Sequence, residues 1–371
     1  MDSAAAVLTI DLGALAENWV ALSRRVAPAR CAAVVKADAY GLGATAVVRS
    51  LLHAGCREFF VALVDEGIRL RESLGEAWPA DARLHVLHGA LPGAEDDCLA
   101  HDLVPVLNSA DQVARWQAAA RGKGRALPAA LQVDTGMARL GLAPAALTRL
   151  ADAPGGLAGI APTLVMSHLV SAEDPLDPMN RHQLARFRPW RERFPAAWGC
   201  LANSSGIFLG TEFHFDLVRP GAALYGVAPV SGQLNPVRPV VRVQARLIQW
   251  REIQAGEGVG YNHTWRAQRT TRLATVSVGY ADGYLRSASN RSQLRFNGVP
   301  VPLVGRVSMD TVTVDVTEVD ATLLGPGALF DVVDEVQDIN ALAQEAGTNA
   351  YEILTSLGAR YRRQYRGDVR L

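Results

Sequence analysis

Between residues 30 and 225, short apolar runs recur, each followed by a segment of helical length. The runs are AAVVK (32–36), EFFVA (58–62), LHVLH (84–88), LVPVL (103–107), ALQVD (130–134), TLVMSH (163–168), GCLAN (199–203) and FDLVR (215–219). TAVVRSLLHAG, DQVARWQAAA and RHQLARFRPWRERF are among the connectors. Apolar runs alternating with amphipathic connectors are the signature of βα units on a parallel sheet, and eight of them predict a closed (β/α)8 barrel of the TIM type. A barrel of this kind fits within 371 residues and leaves room for more. After about residue 235 the texture changes to alternating stretches such as VRVQARLIQW, RLATVSVGY and TVTVDVTEV, separated by Gly and Pro turns. We therefore expect an α/β barrel over residues 10–235 and a mostly β domain over residues 236–371. The opening AVLTIDL reads as a strand without a helix-length partner, so residues 1–9 are assigned to the β domain.

Charge and cysteine usage narrow the functions open to the chain. With 37 basic against 37 acidic side chains, nothing reads as a footprint for nucleic acid or an anionic membrane. Cys31, Cys56, Cys98 and Cys200 are widely spaced and form no C-x-x-C pair, which points to free thiols in a reducing compartment. The N-terminal apolar stretch lacks a basic lead and is broken by Asp11 and Glu17, unlike a secretory signal. The longest uncharged stretch, residues 153–172, holds Pro154, Gly155, Gly156, Gly159 and Pro162, so it reads as loop plus buried strand and not as a membrane helix. The expected location is the cytoplasm.

In such barrels chemistry sits where strands end and βα loops begin. Here the first strand ends in Lys36, the sixth in His168, the seventh in Asn203 followed by Ser204, and the eighth in Arg219, while the fifth runs into DTGMARLG and delivers Arg139. The loops after strands seven and eight, where this architecture often binds phosphate, read NSSG and RPGAALYG. They offer the Ser204 hydroxyl and unobstructed amides around Gly221 and Ala222. A lysine, a phosphate cup and a cationic residue for a ring nitrogen suit pyridoxal 5'-phosphate. The other seven histidines read as ordinary core or surface residues. His85 and His88, three apart in a strand, face opposite sides, so no metal site is assigned. Asp282 and Asp310 lie in turn-like contexts.

The motifs VVKADAYGLG, VDTGMARLG, ANSSG, FDLVRPGAALYG, GEGVGYNHTW, VGYADGY, GRVSMDT and YEILTSLGAR follow one another in that order. On these motifs, which span nearly the whole chain, the sequence resembles the alanine racemases, fold-type III pyridoxal-phosphate enzymes. The resemblance implies that Lys36 carries the cofactor and that Tyr40, Asn203, Ser204, Gly221, Ala222 and Tyr351 surround its phosphate end. It places His168 against the pyridine ring, with Arg219 donating to the ring nitrogen. Arg139 and the Met309 amide would hold the substrate carboxylate, with Tyr280 and Asp310 completing the substrate site. It further implies a homodimer in which Tyr261 of one copy faces the cofactor of the other. Lys36 and Tyr261 would then be the two bases that racemisation needs on opposite faces of a planar carbanion. An unperturbed phenol is ionised in roughly one molecule in a thousand at pH 7, a handicap of about 4 kcal/mol, so a relay from Arg219 through His168 is expected to lower the tyrosine. An arginine at the ring nitrogen can only donate, which leaves that nitrogen an unprotonated acceptor.

One position departs from the family. Two residues before the Asp of VDTG the family often carries a carbamylated lysine that steers the carboxylate-binding arginine, and here Gln132 stands there. Glutamine cannot carry a carbamate, so a bound anion such as chloride is expected near Gln132 and Arg139. Gln132 and Asn262 leave a racemase of broader or different specificity, such as serine, as an alternative. A fold-type III decarboxylase would be expected to supply a cysteine from the β domain, and residues 236–371 contain none. A non-catalytic pyridoxal-phosphate carrier would resemble the barrel alone. D-Alanine for peptidoglycan is the expected product.

Overall fold

The computed structural model describes residues 4–367. The expected domain ends at residues 1–3 and 368–371 lie outside the described residues. Each of the eight apolar runs carries a strand. Seven pair in parallel and in chain order: Ala33–Val34, Glu58–Val61, Arg83–Val86, Leu103–Leu107, Leu127–Gln132, Ile160–Met166 and Trp198–Cys200. The eighth, Leu217–Val218, pairs with Arg30–Cys31, which continues past Ala32 into the first strand. Three amides of that first strand, Arg30, Ala32 and Val34, donate to the carbonyls of Asp216, Val218 and Pro220, each at 2.9 Å. A bridge between Asn203 and Arg219 joins the seventh strand to the eighth, so the sheet closes on itself.

The connectors fold as helices with identifiable ends. Ser109 caps Ala110–Lys123 by accepting from the Gln112 amide, and Gly124, in the left-handed region at φ 63°, ends it. Residues 153–159 form turns ahead of the buried strand Ile160–Met166. No helix among the described residues is long and apolar enough to cross a membrane.

The second half is a β sheet organised on the long strand Val241–Ile253, whose first seven residues alternate inward and outward as the sequence pattern requires. The N-terminal strand Ala6–Asp11 pairs antiparallel with it, Ala6 opposite Ala245, and takes Arg362–Arg366 in parallel on its other edge. The chain's first strand thus lies in the sheet of its second half. One large apolar core runs through the barrel and this sheet.

The segment after Lys36 has an unusual conformation. Ala37, Asp38, Ala39 and Tyr40 have φ of 52° to 56°, one full left-handed turn without a glycine. Each such residue costs roughly 1–2 kcal/mol, so the turn exists because its surroundings impose it. Gly41 and Gly43 follow this turn and do not form it. The structure instead uses them, at φ 83° and 96°, to admit the β half: a Cβ on Gly41 would lie 2.8 Å from the Leu354 carbonyl oxygen, and one on Gly43 would collide with the Tyr365 hydroxyl.

Candidate active site

The C-terminal ends of the strands surround a cavity of about 670 Å³. Lys36 lines it, with no hydrogen-bond or ion-pair partner for its ammonium among the described residues. Burial lowers its pKa, Arg139 and Arg219 lower it further, and Glu66 acts in the opposite direction. Arg219 is 3% exposed and has no carboxylate partner among the described residues. Its Nη2 donates to the Ser167 carbonyl at 2.6 Å and its Nε lies 3.0 Å from Cys200 Sγ, which leaves Nη1 without an acceptor among the described residues. His168 is pushed down to about 3, by burial first and then by Arg219, Arg139 and Lys36, so it is a neutral imidazole at ordinary pH. Neither bond of Arg219 reaches His168, and the expected relay is not assembled in this chain.

The same cavity is lined by a cup of donors. Ser204 Oγ accepts from the Gly221 and Ala223 amides at 3.0 and 3.2 Å, so its own proton is free to donate outward. The amide between them, that of the buried Ala222, has no acceptor among the described residues. Tyr40, its ring 4.7 Å from that of Tyr225 and 6.2 Å from that of Tyr351, is held protonated by burial first and by Tyr351 second. Burial likewise pushes Tyr351 up to about 12, with Glu173, 3.5 Å from its hydroxyl, adding to the shift. Asn203 holds the loop itself, its Oδ1 accepting from the Gly206 amide at 2.9 Å.

Arg139 reaches the same cavity from an exposed loop. Asp134 builds that loop by accepting from the amides of Gly136, Met137 and Ala138, and Gln132 Nε2 donates to the Leu140 carbonyl at 3.1 Å. Gln132 therefore steers Arg139 through the backbone beside it, and the guanidinium has no partner among the described residues. Two titratable lining residues escape the sequence reading, His88 and Glu173. His88 stands two residues beyond the end of the third strand, so the strand-end rule could have found it. His85, its neighbour, is buried against Glu58 at 2.8 Å and stacked on Phe60.

Four expected site residues lie outside this cavity. Tyr261 is 69% exposed, Met309 53% and Tyr280 43%, all on loops of the β half. Asp310 pairs with Arg360 Nη1 at 2.6 Å, and the same arginine grips Asp282 with two bonds. No cluster of three or more metal-ligating side chains occurs among the described residues.

What the cavity offers is almost all donors: an arginine N–H, a free amide with hydroxyls, and a lysine with no ion-pair partner among the described residues. A ligand that meets them carries an acceptor nitrogen, a phosphate and a carbonyl for the lysine, which places the chain among barrel enzymes of the pyridoxal-phosphate kind. The relatives narrow that class. Residues 10–229 match the family model "Alanine racemase, N-terminal domain" and residues 240–365 match "Alanine racemase, C-terminal domain". The chain is 52% identical to the alanine racemase of Rhodospirillum rubrum, over 99% of this chain and 97% of that protein. It is 49% identical to a catabolic alanine racemase of Agrobacterium fabrum, over 96% and 91% of the two chains. Alanine racemase from Bartonella henselae, solved with covalently bound pyridoxal phosphate, superposes with a TM-score of 0.92 at 41% identity, over 98% of this chain and 99% of that one. The chain belongs to the alanine racemase family.

Proposed function

We propose that this protein interconverts L- and D-alanine with pyridoxal phosphate, as a homodimer whose two sites each draw on both copies. Residues 10–235 form the cofactor-holding barrel, and residues 236–371 with the strand in residues 1–9 form the unit that reaches the other copy. The observation that carries this reading is Lys36, unpaired at the cavity wall, with its charged form disfavoured by burial and two guanidiniums. When bound, the cofactor withdraws electron density from the α-carbon of the amino acid and makes its proton removable.

The chain's own residues do the rest. Ser204, the Ala222 amide, Tyr40 and Tyr351 would hold the phosphate end, and the Arg219 Nη1 would donate to the ring nitrogen without giving up its proton. Arg139 fixes the substrate carboxylate and so the direction in which the α-proton points. The depressed basicity of Lys36 keeps more of it as the free amine at neutral pH, ready to accept that proton on one face. Tyr261 of the partner subunit serves the other face. There it would stand against Lys36, with Arg139 and Arg219 nearby, and a neutral His168 adds no charge of its own. The Met309 amide of the partner subunit joins Arg139 on the substrate carboxylate, Tyr280 of the partner subunit narrows the substrate space, and Asp310 acts through Arg360.

A bound anion such as chloride completes the charge balance beside Arg139 and Gln132, because Gln132 supplies no negative charge. Exchange into chloride-free buffer should raise KM for alanine and added chloride should restore it; indifference to chloride contradicts the anion site. The four cysteines, all free and buried, agree with a cytoplasmic enzyme. Growth that becomes dependent on D-alanine when the gene is deleted would place the product in peptidoglycan synthesis.

Racemisation of a panel of L-amino acids in deuterated water tests the function. Loss of optical rotation with α-deuteration, fastest for alanine, is the expected result. Cofactor absorbance without turnover of any amino acid would contradict it, and faster turnover of serine would move the specificity.

A further inference from the structure

Glu66 stands in the first turn of the helix Val64–Leu74, which follows the second barrel strand. A glutamate there ordinarily folds back on the amides at its own helix start. Glu66 does so with one oxygen only: Oε2 accepts from Ala62 at 2.7 Å and Leu63 at 3.1 Å. Its Oε1 reaches across to the first strand's loop and accepts from the Ala37 amide at 2.6 Å. One carboxylate thus joins the ends of two neighbouring strands, and the amide it takes is the one that follows Lys36.

We propose that Glu66 is a positioning residue for Lys36, holding the peptide after the lysine so that the left-handed turn forms and the side chain leaves the backbone in a fixed direction. The peptide is planar, so the direction of the Ala37 N–H is set by the ψ angle of Lys36, and anchoring that N–H anchors the frame from which the lysine projects. The turn over residues 37–40 is strained at every position and needs holding at both ends. Its far end is tied by Asp38, whose Oδ1 accepts from Ala44 at 2.7 Å and whose carbonyl accepts from Gly43 at 2.9 Å. At its near end, Glu66 is the side chain that grips the peptide joining the turn to Lys36. Glu66 also faces a lysine confronted by Arg139, Arg219 and the neutral His168, and its charge opposes theirs. The inference deepens the proposed function and rests on the role given there to Lys36.

The chain has two lysines, Lys36 and Lys123, so it can be read directly. Full-length protein grown on [6-13C]lysine and stripped of cofactor gives two side-chain signals, assigned with Lys123→Arg, whose pH titrations report each pKa. Glu66→Gln keeps the shape but can no longer accept at both oxygens. We expect the Lys36 titration to move to lower pH with Lys123 unchanged, deuterium exchange over residues 37–43 to quicken, and kcat of the holoenzyme to fall roughly 10- to 100-fold with little change in KM. Glu66→Asp, which keeps the charge, should hold the Lys36 titration near that of the unmodified protein. A Lys36 titration in Glu66→Gln that stays put, or that moves up to the ordinary lysine value as in a site opened to water, would overturn the proposal. The lysine signals are recorded without turnover, so failure of the unmodified enzyme to racemise any amino acid would strike the proposed function and leave this result standing.

Discussion

The barrel rim and the loops of the β half are incomplete in opposite ways. At the rim, polar groups lack counterparts among the described residues: buried Arg219 lacks a carboxylate, the buried Ala222 amide lacks an acceptor and half-buried Lys36 lacks a partner. In the β half, Tyr261, Tyr280 and Met309 stand out from the surface with no wall against them. These loops are nevertheless firmly built. Tyr280 and Ala281 donate to the carbonyls of Ser308 and Met309, and Arg360 ties Asp282 to Asp310. The hairpin that presents Tyr261, Gly258–Val259 with Trp265–Arg266, rests on its own small core of Val259, Leu273 and Val304. Unmet donors mark a cavity that waits for a ligand, and exposed aromatic and thioether groups on anchored loops mark a surface that waits for a cover. In the proposed homodimer, two copies would supply each other's missing half.

Substitutions on the two sides should fail differently. On the proposed roles, Lys36→Ala would remove both the attachment point and one base, and turnover should fall by at least about 10⁴-fold, with covalently held cofactor absent from the denatured protein. Activity within tenfold of the unmodified enzyme would remove Lys36 from the chemistry. The rim's electrostatics also leave a mark on stability. Below pH ~6.5 an unfolded chain takes a proton on residue 168 that the fold refuses until about 3, so stability falls as pH drops through that window, by up to about 1.4 kcal/mol per pH unit for this group. His168→Gln should flatten the decline measured by urea melts between pH 7 and 4, and an unchanged slope would contradict the burial of His168 among cations. The smallest effect is expected on the β side. Arg360→Ala should loosen the Tyr280 and Met309 loops and raise KM severalfold while the barrel's melting temperature holds. A loss confined to stability would make Arg360 merely structural.

Much of this was legible in the chain. The eight apolar runs locate the strands, and looking at strand ends finds Lys36, His168, Asn203 and Arg219, because a barrel puts its chemistry there. Strand lengths were less legible: FDLVR shrinks to Leu217–Val218, since Phe215 adopts a φ of 50° and leaves the ladder. The left-handed turn in ADAY carries no glycine signal. It is imposed by Glu66 and Asp38 and by the close approach of the β half at Gly41 and Gly43, none of which a local pattern reveals. Glu173 reaches the cavity from a loop long after its strand ends, and no periodicity marks it. Asp310 reads as a turn residue and as a substrate contact by resemblance, and its pairing with Arg360 is a long-range fact.

Subunit complementation tests the shared site most directly. Lys36→Ala and Tyr261→Phe chains, each inactive alone, are mixed, dissociated and allowed to reassociate. If each site takes its lysine from one copy and its tyrosine from the other, every hybrid dimer holds one intact site, and activity should return to about a quarter of that of the unmodified enzyme. If the mixture stays as inactive as its components while hybrids form, both bases belong to one chain and the account is wrong.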